Sequence, residues 1–196
     1  MARTRIQKER TLQILKALGT CLQRKSFEKT SIKDIAREAG VNHGVLHYYF
    51  TSKEDVLLSY IDYVIQDYQA QVRQWLGEKD VEKLGKRDLI EEIFCFVNSR
   101  ITLNKDLSHI FVEIWEIALY NEKVRQKLKE AYTSWIDELV TYLAHSIDDQ
   151  QFAATVSVAM VAFWEGMALF SRIFEEDSLN IEEVLTAFQH RVIEIL

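Results

Sequence analysis

The 196-residue chain contains no proline and only six glycines; average usage would give roughly 10 and 14. A β-sandwich or barrel needs turn residues every 8–12 positions, and this chain does not supply them. A proline-rich linker is excluded for the same reason. Cysteine is also scarce: Cys21 and Cys95 stand alone, with no C-x-x-C pair, which excludes a zinc ribbon or thioredoxin-type motif. Two lone cysteines read as small buried side chains in a reducing compartment. The basic start MARTRIQKER is followed by no apolar stretch, so no secretory signal is expected. The most apolar stretch, Val156 to Phe170, contains Glu165 and falls short of the ~20 residues of a membrane span. These absences predict a cytoplasmic, all-α protein without a membrane partner.

What is present is unevenly distributed. The overall net charge is −6, yet residues 1–55 carry 11 Lys/Arg against 6 Asp/Glu, while residues 56–196 carry 13 against 24. A basic head on an acidic body points to a polyanion as partner of the head. Arg3, Arg5, Lys8 and Arg10 crowd the start of the first helical pattern, roughly 4–24. Cations there oppose the helix dipole and imply another use or a solvated terminus. Ile6, Leu12, Leu15, Leu18 and Leu22 give that helix one apolar stripe.

Two short helices follow. Ser31 and Asp34 form a capping-box pattern before Ile32, Ile35, Ala36 and Ala39, and Gly40 stands at the helix-stop position. Asn42 is the N-cap residue of the next, with Val41, Leu46, Tyr49 and Phe50 turned inward. Two short helices joined by a tight glycine turn form a helix-turn-helix. Ser52 then starts a long helix with no breaker before Gly77, followed by a polar connection. Helical patterns recur at roughly 88–103, 107–119, 122–146, 150–174 and 181–195. Their starts are marked by Asn121, Asp148 or Asp149, and Asn180.

The segment Thr30–Leu57, TSIKDIAREAGVNHGVLHYYFTSKEDVL, resembles the DNA-binding signature of the TetR family of transcriptional repressors. The match runs through Thr30, Ile32, Ile35, Ala36, Ala39, Gly40, Val41, Gly44, Leu46, Tyr49, Phe50, Lys53, Glu54 and Leu57. The resemblance implies an N-terminal three-helix DNA-binding domain, residues 1–51, and a larger helical effector-binding and dimerisation domain, residues 52–196. It implies a homodimer through the last two helices, with Ala153, Val156, Phe163, Phe170, Val184, Phe188 and Ile195 as candidate members, which core packing within one subunit explains equally well. It implies a palindromic double-stranded DNA operator and an unidentified small-molecule effector that releases it. Val45 and His47 depart from the usual Thr/Ser and Tyr; a valine suits a thymine methyl, a histidine a phosphate or base.

A recognition helix exposes short or planar polar groups on one face. Asn42, His43, Gly44, Val45, His47 and Tyr48 are expected there. Thr30, Ser31, Lys33 and Lys53 are expected to hold phosphates. In the body, Phe111, Trp115, Trp164 and Met167 are candidates for an effector pocket, with Asn98, Glu113, Glu116 and Glu165 as nearby polar groups; core packing explains the apolar ones as well. There is no Glu-x-x-His, P-loop, G-x-S-x-G or H-E-x-x-H. His109, His145 and His190 are scattered, so no catalytic residue, metal site or cofactor is expected and the chain is read as a non-enzyme. The rival reading is a helical small-molecule carrier or interaction protein that binds no DNA.

Overall fold

The computed structural model describes residues 2–79, 84–144, 147, 149–174 and 178–195. Among them there are helices and connections but no strand. His145 and Asp148, with the side chains of Arg3 and Ile195, lie outside the described residues.

The order is α1 (Ala2–Leu22), α2 (Ile32–Glu38), α3 (His43–Tyr49), α4 (Lys53–Glu78), α5 (Lys86–Val97), a π-helical turn (Asn98–Thr102), α6 (Lys105–Tyr120), α7 (Glu122–Leu143), α8 (Gln150–Ile173) and α9 (Ile181–Ile195). The helix expected over 88–103 is thus split: α5 ends at Val97 and widens into the π-helical turn. Gly77 does not stop α4, which runs one residue further. The caps read from sequence are in place. Asn121 Oδ1 accepts from the Lys123 and Val124 N–H groups, Asp149 Oδ1 from those of Gln151 and Phe152, and Asn180 Oδ1 from that of Glu183.

The chain forms two compact units. Unit 1 is 1–73 with 113–127; unit 2 is 74–112 with 128–196. The 51/52 boundary drawn on function therefore lies inside unit 1, which also takes the first part of α4 and the junction of α6 and α7.

Unit 1 is built on α1. Ile14, Leu15, Ala17, Leu18, Cys21 and Leu22 are buried, and each large side chain so removed from water is worth about 1.5–3 kcal/mol. Ile6 and Leu12, expected in the stripe, are instead 57% and 37% exposed. Gly19 lets α1 and α4 approach closely, since a Cβ there would lie 2.6 Å from the Tyr60 hydroxyl oxygen. The returning segment 113–127 is tied down by polar bonds. Glu113 Oε2 accepts from the Phe27 N–H at 2.9 Å, Asn121 Nδ2 donates to Glu54 Oε1 at 2.9 Å, and Lys127 pairs with Asp62.

Unit 2 centres on Phe94, Leu143, Ala153, Met160, Trp164 and Leu185. Phe163 stacks on Phe188 with centroids 3.7 Å apart, and Phe94 meets Trp164 edge-on at 5.1 Å. Cys95, expected to be buried, is exposed. α8 is the one described helix long and apolar enough to cross a membrane by length and composition; a third of its most apolar window is buried inside the protein.

Candidate nucleic-acid interface

The helix-turn-helix is assembled by local bonds that its sequence demands. Asp34 N–H donates to Ser31 Oγ at 3.2 Å, while the Ser31 N–H and hydroxyl donate to Asp34 Oδ2 at 3.0 and 2.7 Å. This is a complete capping box. Lys25 and Arg37 each reach Asp34 at 2.6 Å. The Lys25 bond, then those from Ser31, hold its carboxyl well below the usual carboxylate range.

α2 stops at a Schellman arrangement. Gly40 has φ 62°, a left-handed conformation that favours glycine. Gly40 N–H donates to Arg37 O at 3.1 Å and Val41 N–H to Ala36 O at 3.0 Å. α1 clasps the turn, with Gln13 Nε2 donating to Ala39 O at 2.6 Å. Asn42 Oδ1 then accepts from Val45 N–H at 2.8 Å and starts α3.

α3 has two faces. Leu46 and the following Phe50 are buried at 0% and 4% exposure, whereas Asn42, His43, Gly44, His47 and Tyr48 are exposed, Tyr48 at 70%. Val45, expected on the open face, is half-buried. His43 and His47 lie one turn apart with their Nε2 atoms 3.3 Å from each other and their rings edge-on. They present themselves as a pair, one ring N–H donating to the other ring.

The expected phosphate set divides. Lys33 is exposed on α2, and Ser31 is exposed at its cap. Thr30 is 2% exposed and donates its hydroxyl to Ser26 O at 2.9 Å. Lys53 Nζ donates to Phe27 O at 2.9 Å and Glu28 O at 3.3 Å and sits 4.3 Å above the Phe27 ring. Burial pulls its ammonium pKa below the ordinary lysine value. In this conformation Thr30 and Lys53 hold the loop before α2. Sequence reasoning missed the roles of Gln13, Lys25 and Phe27, none of which belongs to the quoted motif.

The expected pocket residues are also divided. Trp115 lies in unit 1, half-buried. Phe111, Trp164 and Met167 lie in unit 2, 7%, 5% and 5% exposed. Trp164 Nε1 donates to Asn98 Oδ1 at 3.1 Å. Glu165 is half-buried on α8 and takes a hydrogen bond from Tyr132, and burial pushes its carboxyl up to about 7. Glu113, considered for the pocket, is instead the acceptor for Phe27 in unit 1. Among the described residues no group of three or more His, Cys, Asp or Glu is placed to hold a metal ion.

Comparison with known proteins agrees with this geometry. Residues 14–60 match the family model for bacterial regulatory proteins of the tetR family. The fatty acid metabolism regulator protein of Bacillus subtilis is 23% identical over 149 residues, covering 76% of this chain and 74% of its own. A TetR transcription regulator from Haloarcula marismortui superposes with a TM-score of 0.81 at 19% identity, covering 96% of this chain and 98% of its own. A transcriptional regulator from Saccharomonospora viridis, crystallised in complex with choline, does so with a TM-score of 0.75 at 19% identity, covering 92% and 95%.

Proposed function

Since the chain belongs to the tetR family of bacterial regulatory proteins, DNA-binding transcription regulators, we propose that it is a cytoplasmic repressor, released from a palindromic operator by a small-molecule effector. The observation that carries this reading is the division of α3 into a buried face, Leu46 and Phe50, and an open one, Asn42, His43, Gly44, His47 and Tyr48. The open face enters the major groove. Val45 borders it and offers its methyls to a thymine. Ser31, Lys33 and the start of α2 meet the phosphates. Thr30 and Lys53 keep the loop before α2 in place, and Lys53 turns to phosphate only by giving up Phe27 and Glu28. Residues 1–51 carry DNA reading, and residues 52–196 carry effector binding and dimerisation.

The protein acts as a homodimer through α8 and α9. Phe152, Val158, Phe170 and Ile173 of α8, with Phe174 just after it, are exposed at 41–62%, large apolar groups that a second copy would cover. Of the residues expected there, Ala153 is fully buried and Phe163 and Phe188 are spent on each other; Phe170 remains available. The effector sits in unit 2, near Phe111, Trp164 and Met167. The S. viridis regulator binds choline and the B. subtilis one regulates fatty acid metabolism; a small organic effector suits both precedents. α4 passes without a break from unit 1 into unit 2 between Arg73 and Gln74 and is the continuous element through which occupancy is relayed. By linkage, DNA then weakens effector binding by the same factor as effector weakens DNA binding.

The test is selection of an operator from random-sequence DNA, followed by titration at several salt concentrations. A palindrome bound with an affinity that falls steeply with salt is expected, because phosphate contacts release counterions. A protein that retains no DNA at low salt but still binds apolar ligands would establish the rival carrier reading.

A further inference from the structure

Glu165 is a charged group set in the apolar run of α8 in unit 2. From Gln150 to Ser171 it is the only charged residue of α8. Among the described residues, its carboxylate is opposed by burial and supported by the Tyr132 hydrogen bond, with no basic side chain acting on it. A desolvated carboxylate without a counter-cation is costly. Yet Glu165, Tyr132 and Trp135 all keep part of their surface accessible, so the cluster is not sealed inside the packing. Its other members are aromatic. The Tyr132 ring stands edge-on to Trp135 with centroids 5.2 Å apart, and Trp135 stands 6.1 Å from Phe111.

We propose that Glu165, with Tyr132, Trp135 and Phe111, is the recognition group of the effector site, and that it selects an organic cation: an amine or quaternary ammonium on an apolar body. The proposal rests on the reading of unit 2 as the effector-binding part of the chain. A cation supplies the charge that the buried carboxylate lacks. Aromatic faces attract the same charge through their quadrupoles. An anionic ligand would face a second carboxylate in an apolar setting. A neutral one gains the aromatic surface but nothing from the charge. A carboxyl that served only to bond Tyr132 would show no preference among the three.

The experiment titrates the full chain with octyltrimethylammonium, 1-octanol and octanoate, which share one alkyl length, and reads binding by calorimetry at pH 7.5. The cation should bind about tenfold tighter than the alcohol, and octanoate weakest. Glu165→Gln should lose the cation's advantage and leave octanol unchanged. Cation affinity should rise from pH 6 to pH 8 in the wild type, as Glu165 loses its proton, and stay flat in Glu165→Gln. Tyr132→Phe keeps the carboxyl but removes its hydrogen bond; it should bind the cation several-fold more weakly at pH 7 and recover at pH 8. Octanol or octanoate binding as tightly as the cation, or Glu165→Gln keeping wild-type cation affinity, would overturn the proposal while leaving unit 2 an effector domain. Binding of none of the three would overturn the cation proposal and the effector reading of unit 2 together.

Discussion

Unit 1 and unit 2 are both helical, but they differ in what fixes their elements. In unit 1 many polar side chains serve the backbone, beside side-chain pairs such as Lys127 with Asp62 and Asn121 with Glu54. Ser31 and Asn42 cap short helices, Gln13 and Lys53 bind carbonyls, and Glu113 accepts a backbone N–H. Two seven-residue helices cannot stand on propensity alone, so their ends must be specified. The polar groups left over face outward on α3. In unit 2 aromatic packing joins the helices; Ser108 and Ser157 still bond backbone carbonyls, but Asn98 and Glu165 meet side chains.

The contrast breaks hardest at Leu46. It is the fully buried side chain of α3, and Leu46→Ala should cost about 2–5 kcal/mol and abolish operator binding, while ligand binding by unit 2 persists. Urea unfolding with a ligand titration in parallel checks this; loss of both activities together would mean that the two units do not fold separately.

A pH effect comes next and belongs to unit 2. The Glu165 carboxyl titrates near 7 in the folded chain, above its unfolded value near 4.3. Between those values the folded state binds more protons, so stability falls as pH rises through that window and levels off above it. The loss should amount to at most ~4 kcal/mol, and Glu165→Gln should remove it. Chemical denaturation from pH 4.5 to 8 measures the slope; an unchanged slope in the variant would place the titrating group elsewhere.

Smaller effects separate capping from DNA contact. Ser31→Ala should destabilise unit 1 by about 1 kcal/mol through loss of the capping box, measured by thermal unfolding. Lys33→Ala should leave stability unchanged but reduce the salt slope of operator binding by about one unit. Lys53→Ala, which releases the loop at Phe27 and Glu28, should instead lower stability and leave that slope nearly intact. The reverse pattern for the two lysines would make Lys53 the phosphate ligand and Lys33 a solvated side chain.

How much of this could be read in advance follows from the same physics. Ser31, Gly40 and Asn42 were legible because caps and left-handed turns act within a few residues. Asn121, Asp149 and Asn180 were legible for the same reason. The inward bonding of Thr30 and Lys53 was not, since a motif gives positions and not the direction in which a side chain turns. Ile6 and Leu12 show that a periodic stripe can outrun the surface available to cover it. The pairing of Phe163 with Phe188 joins two helices whose apolar periods are equally compatible with a partner subunit. Glu165 did leave a signal, an acid in an apolar run, but its partner Tyr132 lies 33 residues away in sequence, and no spacing rule connects them.

The central claim, that the open face of α3 reads DNA, is tested most directly by anisotropy titration of the selected operator and its single-base variants against His43→Ala and Tyr48→Ala. The two histidines form a pair, so His43→Ala also frees His47. If the face reads bases, each substitution should cost roughly 1–3 kcal/mol on the wild-type operator and relax preference at particular positions, with stability unchanged. If both variants bind every operator as the wild type does, α3 does not read DNA through this face.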